Sequence, residues 1–138
     1  MKRSPMKKVS SSPLSVLQRA LWTVFSLWVK IRDRWTCFTC GKRVYGSDAH
    51  AGHFIPRSTG GSELYFHPNN VHCQCFDCNI ELGGNLKIYE ELLGPEIVAL
   101  LRALKNKTSK WDVGRLKLEI EFYKRQLKYL GYEKENYT

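Results

Sequence analysis

Cys37-Phe-Thr-Cys40 and Cys75-Phe-Asp-Cys78 are two cysteine pairs of identical spacing, and all four histidines of the chain lie between them. A tight turn between two such cysteines aims both sulfurs at one ion. Two such turns make a closed four-thiolate site, which is structural because it leaves no coordination position open. A redox pair or buried free thiols are the other readings. Two matched pairs in one small chain favour structural Zn2+. Cys73 is the fifth cysteine and suits a small core position in a strand.

Between the pairs the sequence runs Asp48-Ala-His50-Ala-Gly-His53-Phe-Ile-Pro56-Arg57, then a Gly-Gly stretch at Ser58–Ser62, then Asn70-Val-His72-Cys73-Gln-Cys75, with Asn79 directly after Cys78. This resembles the HNH, or ββα-metal, nuclease motif. A histidine precedes an aliphatic-Pro turn, a Gly-Gly loop follows, and a polar group stands after the last cysteine. Asn70 and Asn79 are nine positions apart, as in families of this kind. The resemblance implies phosphodiester hydrolysis, which needs a base, a cation and a group that holds the base. His53 would take the proton of water, Asn70 would orient the His53 ring, and Asn79 would ligate a catalytic Mg2+ or Mn2+. Four thiolates on one ion are expected to bring His53 and Asn79 to either side of that second cation.

More narrowly, the chain resembles the NinG (Rap) recombination proteins of lambda-like phages. The matching features are Val29–Arg34 running into Cys37-x-x-Cys40, Ala51-Gly-His53-Phe, Asn70-Val-His72-x-Gln-Cys75-x-x-Cys78-Asn79, and Gly84-Asn85 with Tyr89 behind. The resemblance spans about residues 25–130. It implies a structure-specific DNA endonuclease for branched recombination intermediates such as Holliday junctions and D-loops, leaving 5′-phosphate and 3′-hydroxyl ends. In one respect the chain departs from the pattern. Many HNH enzymes carry Asp just before the base, where this chain has Gly52. NinG-type sequences carry it three residues before, where this chain has His50, with Asp48 two further back. Either His50 or Asp48 completes the cation site, and an imidazole suits Mn2+ or softer ions better than Mg2+. Asn85 reads as a helix cap, with a metal or phosphate role as the alternative.

Charge supports a polyanionic partner. The net charge is +9. Residues 1–35 carry +7, residues 36–85 carry −1 and residues 86–138 carry +3. Basic flanks attract DNA, and an acidic centre suits a divalent cation. Arg57, just past the turn, and Lys42 and Arg43, after the first knuckle, are the candidate phosphate contacts. Nothing near Met1–Lys8 reads as a secretory signal, so a reducing cytoplasm is expected, the host's if the chain is phage-encoded. The longest apolar run, Ala20–Val29, is too short to span a bilayer.

The elements that must position this chemistry follow from periodicity. The fold class is α+β and mainly helical, with a ββα-metal core between amphipathic helices. A basic arm is expected at 1–13 and an N-terminal helix at 14–34. The zinc-stapled core covers 35–93 and a helical region 94–138, in one domain overall. Leu14, Leu17, Leu21, Val24, Trp28 and Ile31 form the stripe of the first helix. Two short strands are expected around Tyr45–Phe54, a loop at Ser58–Ser62, and a knuckle at Cys75–Cys78 that opens a helix. Asn85 would cap a helix over Leu86–Leu93, Pro95 would start Glu96–Leu104, and Lys105–Ser109 would link to a helix capped by Asp112. That last helix carries Leu116, Ile120, Tyr123, Leu127 and Leu130. The first and last stripes match, so these helices pack on each other or on a second copy, which makes a homodimer one possible assembly. Two other functions compete with the endonuclease. One is a zinc-stapled DNA-binding accessory protein without catalysis. The other is a non-specific or sequence-specific HNH nuclease.

Overall fold

A computed structural model describes residues 12–105, 107 and 110–132. Most of the basic arm and part of the Lys105–Ser109 link therefore lie outside the described residues. The first helix, α1 (Pro13–Arg32), starts as its sequence demands. Ser12 accepts the Ser15 N–H at 3.2 Å, and Pro13 fits the first turn, where its missing N–H costs nothing. Leu21, Val24, Phe25 and Val29 are buried against Leu116, Ile120, Tyr123 and Leu127 of α5 (Val113–Tyr129). The two long stripes thus pack on each other within one chain. Asp112 caps α5 by accepting the Arg115 N–H at 2.9 Å.

At the end of α1 the chain reverses through Arg34 and Trp35, both with positive φ, and enters the first knuckle. Arg32 and Asp33 fasten this end of the helix to the sheet. Arg32 donates to the carbonyls of Pro68 and Val71 at 2.6 and 2.7 Å, and Asp33 accepts the Cys73 N–H at 2.8 Å.

The sheet has two antiparallel strands, β1 (His50–His53) and β2 (Val71–Gln74). Their register pairs His50 with Gln74, Ala51 with Cys73, Gly52 with His72 and His53 with Val71. Of the expected strand region, only the second half is strand. Gly46–Asp48 is a single 3₁₀ turn, and the partner strand lies beyond the Gly-Gly segment. That segment is helical, not a loop. It forms α2 (Arg57–Tyr65), broken at Gly61, whose φ of 70° is open to glycine at no steric cost.

After β2 the second knuckle turns through a wide helical turn, Asp77–Glu81. Two short helices follow, α3 (Leu86–Leu93) and α4 (Pro95–Leu104). Asn85 precedes α3 but is left-handed, with no capping bond from its side chain. Its Nδ2 instead lies 3.7 Å from Cys78 Sγ. Three clusters make the core. One joins α1 to α5, one surrounds the cysteines, and one packs Phe54, Ile55 and Leu64 against Tyr89, Val98 and Leu101. Among the described residues, no helix is long and apolar enough to cross a membrane.

Candidate metal centre and active site

The sulfurs of Cys37, Cys40, Cys75 and Cys78 all lie within 4.8 Å of one another, and Cys40 and Cys75 are 3.8 Å apart. Zinc–sulfur bonds of about 2.3 Å at tetrahedral angles place sulfurs roughly 3.8 Å apart, so the donor set fits one such ion. The knuckle backbone builds the cluster. Cys37 donates its N–H to Lys42 O at 2.8 Å, and Gly41, at φ 80°, donates to Cys37 O at 2.9 Å. Cys78 N–H points at Cys75 Sγ at 3.4 Å. Burial pushes the Cys37 thiol up, but the Thr39 hydroxyl and nearby N–H groups outweigh it and hold the thiol at about 6. Cys73 stands apart from the cluster, fully buried, its thiol pushed up to about 12 by burial and by Asp33.

His50 and Asn79 meet. His50 Nε2–H donates to the Ser47 carbonyl at 3.0 Å, which leaves Nδ1 as the acceptor. Nδ1 accepts a hydrogen bond from Asn79 Nδ2 at 3.0 Å. A ring whose far nitrogen is fixed by a backbone carbonyl is the usual arrangement of a metal-binding histidine. Asp48 does not join them. One of its oxygens accepts the Phe76 N–H at 2.9 Å and the other pairs with Lys42 at 3.2 Å. Lys42 is thereby tied to the knuckle, while Arg43 is exposed.

His53 lies elsewhere. Side chains alternate along a strand, so His50 and Gly52 share one face of β1 and Ala51 and His53 the other. Asn79 Oδ1 stands 3.0 Å from where a Gly52 Cβ would be, on the His50 face. His53 stacks between Trp22 of α1 and Tyr65 of α2, with ring centroids 5.3 and 4.7 Å away. The expected meeting of His53 and Asn79 around one cation is therefore not the geometry observed. His53 Nε2–H donates to the Tyr65 carbonyl at 2.9 Å, and Nδ1 has no hydrogen-bond partner among the described residues. Burial holds this imidazole below its ordinary value, against the Tyr65 carbonyl and with help from the Arg57 charge. It is neutral near pH 7, with its lone pair on Nδ1.

Asn70 is fully buried, and its side-chain hydrogen bonds go to backbone groups rather than to the His53 ring. Its side chain accepts the Ile55 N–H at 2.8 Å and donates to the Ile55 and Leu64 carbonyls at 2.9 Å each. It closes the segment between the strands, and Tyr65 at the end of that segment orients the ring. His72 lies on the Gly52 face. It stacks on Phe38 and donates from Nδ1 to the Tyr89 hydroxyl at 3.0 Å, which donates in turn to Gly52 O at 2.8 Å. His67 Nδ1 accepts the Asn69 N–H at 3.1 Å, a local turn contact.

The Arg57 guanidinium lies over the Tyr65 ring, 4.8 Å from its centroid. Trp22, Tyr65 and Arg57 line a groove of about 440 Å³ together with Arg19. Arg19 and Trp22 escape sequence reasoning because they stand on α1, remote from the motif, and Tyr65 because the segment it ends reads as a loop. Gln74 also escapes it as a site residue, although it stands within the motif. Its side chain is fully buried beside Asn79, and its Oε1 has no partner among the described residues.

The comparisons with known proteins agree on a family. The chain matches the family described as "Bacteriophage Lambda NinG protein" over residues 2–134. It is similar to protein ninG of Escherichia phage lambda, 29% identical over 129 residues that cover 89% of this chain and 61% of the relative. It is likewise similar to protein ninG of Salmonella phage P22, 28% identical over 128 residues covering 89% and 62%. The chain thus spans about three fifths of the length of these curated relatives. No solved structure matches it. With four cysteines clustered beside a short hairpin and a sequence matched along nearly its whole length, the chain belongs to the NinG family of lambda-like phages.

Proposed function

We propose that the chain is a zinc-stapled, metal-dependent endonuclease of HNH type that acts on branched DNA during recombination. The observation that carries this reading is the His50–Asn79 pair, an imidazole nitrogen and a carboxamide hydrogen-bonded at 3.0 Å beside the cysteine cluster. In place of the bond from Asn79 Nδ2, His50 Nδ1 together with Asn79 Oδ1 would hold one divalent cation, Mn2+ more readily than Mg2+ for a nitrogen donor. Bound there, the cation supplies charge stabilisation at the phosphate. His53 accepts the proton of the attacking water at Nδ1, the lone pair that the Tyr65 carbonyl leaves free. Among the described residues, strand β1 has one edge unpaired, so a DNA backbone running along that edge can be reached from both faces. Arg19, Arg57 and Arg43 contact phosphates flanking the cut. The structural zinc does no chemistry; it fixes the knuckle that carries Asn79.

Nicking of four-way, flap, single-strand and linear substrates in Mg2+, Mn2+ and Ni2+ tests the reading. His53→Ala is expected to abolish cleavage and keep zinc content and junction binding. Equal cleavage by that variant removes His53 from the chemistry. The separation of His53 from Asn79 onto opposite faces favours a second reading, a DNA-binding recombination protein without catalysis. Junction binding with no nicking in any of the three metals selects it.

A further inference from the structure

Above Gly52, side-chain oxygens from two elements face one small volume, and one of them has nothing to bond. A Cβ added at Gly52 would collide with Gln74 Oε1 and stand 3.0 Å from Asn79 Oδ1, so both oxygens border the same point. His50, two residues before Gly52 and on the same face, holds the other end of the Asn79 amide, its Nδ1 accepting from Asn79 Nδ2 at 3.0 Å. Gln74 is fully buried. Its Nε2 donates to the Gly84 carbonyl at 2.9 Å and to Thr39 Oγ1 at 3.1 Å. A carbonyl only accepts, so the bond to Gly84 fixes the amide: nitrogen toward Gly84, oxygen toward Gly52. Thr39 Oγ1 lies 3.4 Å from Cys37 Sγ, which ties the amide to the zinc knuckle. Gln74 Oε1 is the single buried side-chain oxygen or nitrogen without a partner among the described residues. Leaving it so costs on the order of 1–3 kcal/mol. The Gly52 Cα–H in front of it is too weak a donor to offset that.

We infer that Gln74 Oε1 and Asn79 Oδ1 are two oxygen donors of a divalent-cation site that His50 Nδ1 completes when the ion displaces its bond from Asn79 Nδ2. The inference rests on the reading of His50 and Asn79 as a cation pair. It explains three otherwise unrelated facts: the bare Gly52, the orphaned oxygen and the rigid seating of the amide. The site has one nitrogen and two neutral oxygens and no carboxylate, a set that favours Mn2+ over Mg2+.

Calorimetric titration of Mn2+ into the zinc-loaded full chain, without DNA, tests it. Gln74→Met keeps the length and removes the oxygen, and is expected to weaken Mn2+ binding at least tenfold with zinc content unchanged. Gln74→Glu, which adds charge at the same place, is expected to tighten it. Unaltered affinity in Gln74→Met together with lost binding in Asn79→Ala overturns the role of Gln74 and leaves the cation pair standing. No Mn2+ binding by the parent chain removes both. Should the Gln74 variants fail to fold, the parent chain labelled with ¹³C at its glutamine and asparagine side chains is titrated with Mg2+. The Gln74 and Asn79 carboxamide carbons are expected to shift together and saturate together. A shift at Asn79 alone overturns the inference.

Discussion

At the scale of single residues, the contacts around Gly52 and Asn70 make sharp demands. Gly52→Ala drives a methyl group into the Gln74 amide. We expect it to cost about 1–3 kcal/mol of stability in urea unfolding, the range for overpacking a tight core site. The double variant with Gln74→Ala should recover much of that loss. Asn70→Ala strands the Ile55 N–H and carbonyl of a buried segment and takes one of two bonds from the Leu64 carbonyl, which keeps the His67 N–H. An expected loss of about 3 kcal/mol follows, with the His53 ring released because Tyr65 sits in that segment. The importance of Asn70 is legible in the sequence from its spacing to Asn79. Its target is not, because a carboxamide does not reveal which backbone groups it will meet. The seat of His53 is hidden for the same reason: its partners are a main-chain carbonyl and two rings from separate helices.

At the scale of elements, long stripes are readable and short ones are not. The 3.6-residue period places α1 and α5, and the Ser12 and Asp112 caps stand where their sequence puts them. A strand of four residues offers too little alternation to locate. Its partner is therefore expected next to it in sequence, whereas it lies beyond α2. Two glycines in a row read as a loop, yet only Gly61 leaves the helical range and the turns on each side persist. Asn85 reads as a cap, but the pull of Cys78 Sγ sets its side chain. The paired cysteines are the clearest signal of all, since two short turns of fixed length must converge if they share an ion. Removing that ion with a chelator is expected to abolish hydrogen-exchange protection at the Cys37 and Phe38 amides, which bond to Lys42 O at 2.8 Å and Cys73 O at 2.7 Å. The amides of Phe25 and Val24 should retain theirs longer, since α1 and α5 hold each other by apolar packing. Protection lost everywhere at once would show that the two parts do not unfold separately. Leu116→Ala, in the middle of the packed stripe, should cost about 2–5 kcal/mol by thermal or urea unfolding.

At the scale of the whole molecule, charge and burial set the response to solution conditions. On the proposed function, binding to a DNA junction should weaken steeply with salt, and Arg19→Ala and Arg57→Ala should each lower the slope by about one counterion. Acid is the other stress. Burial holds His53, His67 and His72 below their ordinary range, His72 at about 4 with Arg32 contributing. An unfolded chain binds these protons first, so stability is complete above about pH 6.5 and falls as pH drops toward 4. For His72 alone the loss approaches about 3 kcal/mol. Urea midpoints between pH 7.5 and 4.5 measure it, and His72→Gln should flatten the curve. The Arg32–Asp33 clasp carries a last consequence. It reaches from the end of α1 to carbonyls and an amide at both ends of the Pro68–Cys73 stretch, so the leading helix acts as a splint for the hairpin. A minimal fragment cut at Trp35 would keep every sulfur ligand and everything from Asp48 to Asn79, yet lose the brace that keeps the second strand in register.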